Sequence, residues 1–184
     1  MKSHCKIGIE RNTKNCYRFL GGEGADSMEC GSCRAIKLLE HAIKVIECVF
    51  ERRIREKVKI DTMQFGFMPW KGTTDMQSSQ YGRCKRYGCK GKKLYFAFVD
   101  LEKAFDRVPR EVTRWALRKA GVDEWLVKAV MAMYEGAQTV VRTTEGDSKA
   151  FNVKVGFHQG SVLSPLLFVI VMEMISRELR ASST

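Results

Sequence analysis

The chain has 184 residues, 45% of them hydrophobic, which suits one domain with a real core and excludes wholesale disorder. Lysine and arginine number 32 against 21 acidic residues, a formal charge of +11 that favours a polyanion, nucleic acid ahead of an acidic membrane surface. Seven cysteines, an odd number with no secretion signal before them, argue against a disulfide framework.

Met1 to Leu20 is polar and broken by charges, without the apolar stretch of a signal peptide. The longest apolar run, Leu166 to Met172, falls far short of the ~18 residues that a spanning helix needs. An intracellular protein, cytoplasmic or nuclear and with no membrane partner, is expected. Cys30-Gly-Ser-Cys33 has ligand-like spacing and Cys84 and Cys89 form a looser pair. Zinc sites usually carry two tight pairs, so scattered free thiols are expected.

Residues 1–28 show no steady period and contain Gly21-Gly22-Glu23-Gly24, which reads as a flexible, unrelated leader. Leu39, Ile43, Ile46, Phe50, Ile54 and Val58 then recur at steps of three or four and predict an amphipathic helix with a wet basic side. The glycines and proline of Gln64 to Asp75 mark a loop. Tyr81 to Lys93 carries six cations, two tyrosines and no acid, and reads as a basic loop able to track a nucleic-acid backbone.

Leu94-Tyr95-Phe96-Ala97-Phe98-Val99 is a continuous apolar run, the pattern of a strand buried on both faces, and it ends in Asp100. A short helix through Phe105 and a break at Pro109 follow. Arg110 to Ala120 predicts a helix with Trp115 inward and Gly121 as its cap. The next helix is expected to be N-capped by Asp123, to bury Leu126, Val130 and Met133, and to close at Gly136. Thr139 to Thr144 and Phe151 to Val155 predict a hairpin turning at Glu145 to Ser148, with Phe151, Val153 and Val155 inward. Ser164-Pro165 predicts a helix start, capped by the serine hydroxyl, for a buried helix over Leu166 to Arg180. The order of elements implies an α+β fold.

Two segments carry chemistry. In Phe98-Val99-Asp100-Leu101-Glu102-Lys103-Ala104-Phe105-Asp106 a carboxylate leaves a strand, the way hard divalent ions are fixed for phosphoryl transfer; a helix cap explains the same aspartate equally well. In Gly156-Phe157-His158-Gln159-Gly160-Ser161-Val162-Leu163-Ser164-Pro165-Leu166-Leu167-Phe168 glycine admits a close backbone and Gln159 offers both donor and acceptor.

Together these segments resemble motifs A and B of reverse transcriptases, the first an Asp on a strand followed by Ala-Phe-Asp, the second built on Gln-Gly-Ser-x-Leu-Ser-Pro. Gln64 to Asp75 resembles the fingers motif of LINE-like elements and Arg34 to His41 the segment before it, so the similarity to non-LTR polymerases of the RTE/BovB type runs from Glu29 to Arg180. The resemblance implies an incomplete right-hand polymerase fold, fingers plus partial palm with no thumb. Residues 29–93 would be fingers, 94–109 palm with motif A, 110–155 fingers again and 156–184 palm with motif B.

The implied reaction is RNA-directed DNA synthesis from deoxynucleoside triphosphates on an RNA template and DNA primer, with Mg²⁺ as cofactor. Asp100 matches the first metal-binding, catalytic aspartate, and Phe105 the aromatic gate against a ribose 2′-hydroxyl. Gln159 and Gly160 match the loop that touches the incoming nucleotide and template, while Lys71 and Arg34 match fingers contacts to phosphate. Asp106 also fits the pattern, and a structural role is expected for it.

The pattern is also broken in places. No Asp-Asp dipeptide occurs in the 184 residues, and neither Glu173 nor Glu178 substitutes for it. One carboxylate does not hold two Mg²⁺ ions, so inactivity of these residues by themselves is expected. Trp70 stands where the family has glycine, which predicts a strained loop, and Met76 to Cys89 lacks the family's apolar helical pattern. A non-catalytic, basic RNA- or DNA-binding module and an unfolded relic are the alternatives. Salt-dependent binding marks the first, and absence of a cooperative melt the second.

Overall fold

The computed structural model describes residues 6–9, 14–20, 33–38, 41–91, 93–143, 146–147 and 149–182, with side-chain detail over 41–91, 93–138 and 149–182. Helices dominate. They are α1 (His41–Lys57), α2 (Thr73–Cys89), α3 (Ala104–Arg107), α4 (Arg110–Lys119), α5 (Glu124–Ala132) and α6 (Ser164–Ala181). The strands are β1 (Lys6–Ile9), β2 (Lys14–Leu20), β3 (Cys33–Leu38), β4 (Gln138–Thr143), β5 (Gly146–Asp147) and β6 (Phe151–Asn152).

All strand pairs are antiparallel, and the main order is β3-β2-β1-β4-β5. β1 pairs with both β2 and β4, bringing residues 6–9, inside the expected leader, beside the hairpin. Residues 14–20 of that expected leader are strand β2, and the remaining residues of 1–28 lie outside the described residues. The predicted hairpin is present, with Arg142 opposite Asp147 and Gln138 opposite Asn152. Its inward alternation is not: Phe151 and Val155 are both about half exposed (49% and 47%), because no described element packs over that face.

The core lies between α4, α5 and α6, with the end of α1 against it. Ile54 and Val58 meet Ala116, Leu117, Leu126, Val127, Val130, Leu166, Leu167, Ile170 and Met174. α6 buries residues on nearly all sides of its first three turns, as its uniform apolarity predicts. α4 turns its Thr113, Ala116 and Leu117 face inward. Trp115 falls one residue off that face and stays partly exposed, with the Lys119 ammonium 5.6 Å from its ring centre. Gly121 (φ 82°) takes the left-handed position that ends α4.

Some caps differ from expectation. Asp123 makes no side-chain cap bond to α5 and reaches across to Lys57 at 3.4 Å. At α6 the capping hydroxyl belongs to Ser161, which accepts from the Leu163 and Ser164 amides at 3.2 and 3.3 Å. The Ser164 hydroxyl instead donates to the His158 carbonyl at 2.9 Å.

Two larger corrections concern the middle of the chain. Residues 94–99 form no strand, and Tyr95, Phe98 and Val99 are more than four-fifths exposed. An apolar run becomes a buried strand only when neighbouring strands take up its backbone hydrogen bonds. Among the described residues none lies alongside it. Tyr81 to Cys89, expected as a basic loop, is the C-terminal half of α2. Asp75 reaches back to the Gly72 amide at 2.7 Å and anchors this helix, but α2 buries none of its residues.

The loop before α2 is clamped at several points. The Lys71 ammonium donates to the Thr62 and Gln64 carbonyls, and Arg55 donates to the Phe67 carbonyl at 3.1 Å. Between these clamps Phe67 (φ 56°) and Trp70 (φ 62°) are forced into the left-handed region. Trp70 is fully exposed, so its side chain adds no packing to offset that strain. A non-glycine residue there costs about 1–2 kcal/mol, against about 0.4–1 kcal/mol for the extra unfolded-state freedom of glycine. Trp70→Gly is therefore expected to stabilise the chain by about 0.5–1 kcal/mol. Urea unfolding checks this: the midpoint should rise at unchanged slope, and a fall would mean that the loop is unstrained.

Candidate functional site

The residues around Phe105 and those around Gln159 meet through their backbones. The Phe157 amide donates to the Phe105 carbonyl at 2.7 Å, and the Gly156 amide to the Val108 carbonyl at 3.0 Å. A further bridge joins Pro109 to Val155. This approach needs glycine: a Cβ on Gly156 would stand 2.7–2.8 Å from the Asp106 backbone, and its φ of 86° is unfavourable for any side chain.

The side chains follow from that seam. Gln159 donates its amide to both carboxylate oxygens of Asp106, at 2.9 and 3.1 Å. Asp106, expected to have a structural role, thus orients the glutamine. Phe105 is half buried, stacked on Phe168 at 4.9 Å between ring centres and edge-on to Phe157 and Phe67 at 6.2 and 6.1 Å. The seam therefore joins a short helix, a glycine-bounded turn, the start of α6 and the loop before α2. Gly160 is exposed at φ 98°, a conformation that glycine adopts without penalty.

Sequence reasoning passed over Glu47. It is buried at 1% exposure on the inward face of α1, where its carboxylate accepts from the Val162 amide at 2.9 Å. Ile46, counted in the apolar stripe, is half exposed instead, while Ile54 and Val58 of the same stripe are buried, so the departure is confined to that one step. The available signal was an acid at the inward step between Ile43 and Phe50. Tyr134 packs beside the same turn, its hydroxyl 3.4 Å from that of Ser164 and its ring 4.7 Å from His158. Burial pushes its phenol up to about 12, and the nearby Glu47 charge adds to the rise. Arg110 spans the base of the hairpin, donating to the Tyr134 carbonyl at 2.7 Å and to the Val153 carbonyl.

The other predicted residues fall outside this seam or only partly within it. Asp100 is exposed and has no side-chain hydrogen bond or ion pair among the described residues. Lys71 is engaged with the Thr62 and Gln64 carbonyls and lies 5.1 Å from the Phe65 ring centre. Arg34 lies in β3 opposite Phe19, its side chain outside the described detail. Cys48, Cys84 and Cys89 are free and exposed, as expected of scattered thiols.

The family resemblance implies Mg²⁺, but the donors do not fit a two-ion site. No group of three His, Cys, Asp or Glu residues is placed to hold a metal among the described residues. Asp106 is committed to Gln159 and Glu102 faces Arg107 at 3.9 Å, leaving Asp100 as a single uncommitted carboxylate in this segment, and paired magnesium ions need shared acidic bridges.

Residues 21–183 match the family described as reverse transcriptase (RNA-dependent DNA polymerase). The chain belongs to the reverse transcriptase family. It is 28% identical over 153 residues, 83% of its length, to a retrovirus-related Pol polyprotein from the type-1 retrotransposable element R2 of Nasonia vitripennis. It is 29% identical over 147 residues, 79% of its length, to the corresponding polyprotein of element R2DM of Drosophila melanogaster. A putative 115 kDa protein of element R1DM, also from Drosophila melanogaster, is 28% identical over 167 residues, 88% of the chain. The matched stretches cover 15%, 14% and 16% of those relatives. The chain is thus a reverse transcriptase domain segment related to those of non-LTR retrotransposons. No helix among the described residues is long and apolar enough to cross a membrane.

Two substitutions test the seam. Gly156→Ala is expected to cost about 2–4 kcal/mol, since both φ and the Asp106 contact oppose a methyl group. Glu47→Ala removes the acceptor of the part-buried Val162 amide and is expected to cost about 1–3 kcal/mol, whereas Glu47→Gln keeps an acceptor and costs less. Chemical denaturation measures all three; equal losses for the alanine and glutamine variants at Glu47 would show that the Val162 bond contributes nothing.

Proposed function

We propose that this chain forms the nucleotide- and template-facing part of a non-LTR retrotransposon reverse transcriptase, working within a longer protein in RNA-templated DNA synthesis. The observation that carries this reading is the seam, where Gln159 is held by Asp106 and Phe105 is wedged among Phe157, Phe168 and Phe67. A nucleotide-selecting surface needs a rigid aromatic beside an oriented amide, because discrimination against a hydroxyl depends on a wall that does not yield. Four aromatic rings packed together supply the wall, and the bidentate carboxylate contact fixes the amide.

In this reading Phe105 excludes the 2′-hydroxyl, Gln159 and Gly160 meet the incoming nucleotide and template strand, and Asp100 supplies the first metal ligand. Lys71 and Arg34 face phosphates. Lys71 would do so by leaving its carbonyl partners, or would act by shaping the loop. Residues 29–93 and 110–155 take the place of fingers, and 94–109 with 156–184 that of palm. The RTE/BovB subtype is our reading of the four ordered blocks between Glu29 and Arg180.

We also infer that these 184 residues do not polymerise by themselves. The chemistry supplied by paired divalent ions needs more acidic ligands than Asp100 provides. Primer extension with Mg²⁺, deoxynucleoside triphosphates and an RNA template checks this, and elongation by the purified chain would overturn it. The reading as a template-facing segment predicts tighter binding to an RNA–DNA hybrid with a recessed 3′ end than to a blunt hybrid of equal length. Equal affinity for the two would favour a general nucleic-acid-binding module, a second reading supported by the exposed basic helix α2.

A further inference from the structure

The arginines with described side chains fall into two groups. Outside α2, Arg52, Arg55, Arg107, Arg114, Arg118, Arg177 and Arg180 each face a carboxylate. Arg53 lies over Trp125, and Arg110 is held by two carbonyls. The C-terminal half of α2 differs. Arg83, Lys85, Arg86 and Lys90 are exposed and make no ion pair among the described residues; Arg86 touches only the Gly82 carbonyl of its own helix, at 3.3 Å.

These unpaired charges border a concavity. A cleft of about 420 Å³ is lined by Arg83, Arg86, Tyr87, Lys90 and Leu94, with no acid among them. Tyr87 is 43% exposed. Like charges gathered around one hollow repel one another, and the arginines outside α2 each have a carboxylate, a ring or carbonyls beside them that offset their charge. A helix with no buried residue also gains no packing that would hold those cations in place for a structural purpose.

We propose that this cleft is a binding site for single-stranded nucleic acid, with phosphates held by Arg83, Arg86 and Lys90 and a base stacked on Tyr87. The pairing of several cations with one aromatic face in the same hollow selects this ligand class. Phosphates satisfy the cations, and a base offers a flat face that an isolated phosphate or a lipid headgroup lacks. The inference rests on the nucleic-acid-facing function proposed above but assigns the contact to α2, away from the seam.

The test uses the full chain and a fluorescein-labelled 12-nucleotide oligouridylate, with anisotropy read over a series of salt concentrations. Removing three phosphate contacts by Arg83→Gln, Arg86→Gln and Lys90→Gln together should make the slope of log K against log salt shallower by about 2. Tyr87→Ala should weaken binding roughly tenfold at unchanged slope, and Tyr87→Phe should restore it. A control losing the same charge at Lys44, Lys119 and Lys128 should keep the slope. Thermal melts confirm that each variant folds as the parent does.

Failure of the unmodified chain to bind the oligonucleotide at low salt would sink the nucleic-acid reading as a whole. Binding whose slope survives the triple substitution would overturn the α2 cleft alone. So would a triple-substitution loss seen on phosphatidylserine vesicles and not on the oligonucleotide.

Discussion

Two backbone hydrogen bonds, from the Phe157 amide to the Phe105 carbonyl and from the Gly156 amide to the Val108 carbonyl, organise everything near the candidate site. They form only because residue 156 has no side chain: any Cβ would press into the backbone of Asp106. Once the two segments are that close, the other contacts follow by geometry. Asp106 meets Gln159, and Phe105 reaches Phe168 on α6. The His158–Ser161 turn then delivers the chain into the helix that forms the centre of the core.

The turn is further secured by polar groups that are costly to bury. Glu47 reaches from α1 to the Val162 amide, and Ser161 and Ser164 bond to backbone groups around them. Each bond contributes little net energy, but losing one partner leaves a stranded buried group, so the set rigidifies more than it stabilises. Rigidity is what selection between two similar nucleotides requires. Only a surface that resists displacement turns a small steric difference into a free-energy difference.

The segment before Asp100 obeys a different logic. Its apolar side chains face outward, and among the described residues no strand receives its hydrogen bonds. A carboxylate carried there has no sheet to hold it, in contrast to Gln159, which is locked by its partner. The relatives are about six to seven times longer than the stretch matched here, and a two-metal site in general needs several acidic ligands. Under the function proposed above, the described parts of this chain supply the selecting surface more completely than the metal-binding one.

Local chemistry in the sequence determined a good deal. The 3.6-residue periodicity predicted α1, α4, α5 and α6, Gly121 marked the end of α4, and Ser164-Pro165 marked the start of α6. The motif spacing identified the family, and the glycine-to-tryptophan departure at Trp70 pointed to backbone strain that is present in the loop. Such features depend on a residue and its near neighbours, which a linear reading contains. What needed the tertiary structure was every question of partnership. Whether residues 94–99 become a strand depends on another strand, whether Glu47 is buried depends on a distant amide, and whether a lysine or arginine is paired depends on which acid the fold brings within reach. Hydrogen bonds and charges are settled between groups far apart in the chain, so their outcome is decided only once the chain has folded.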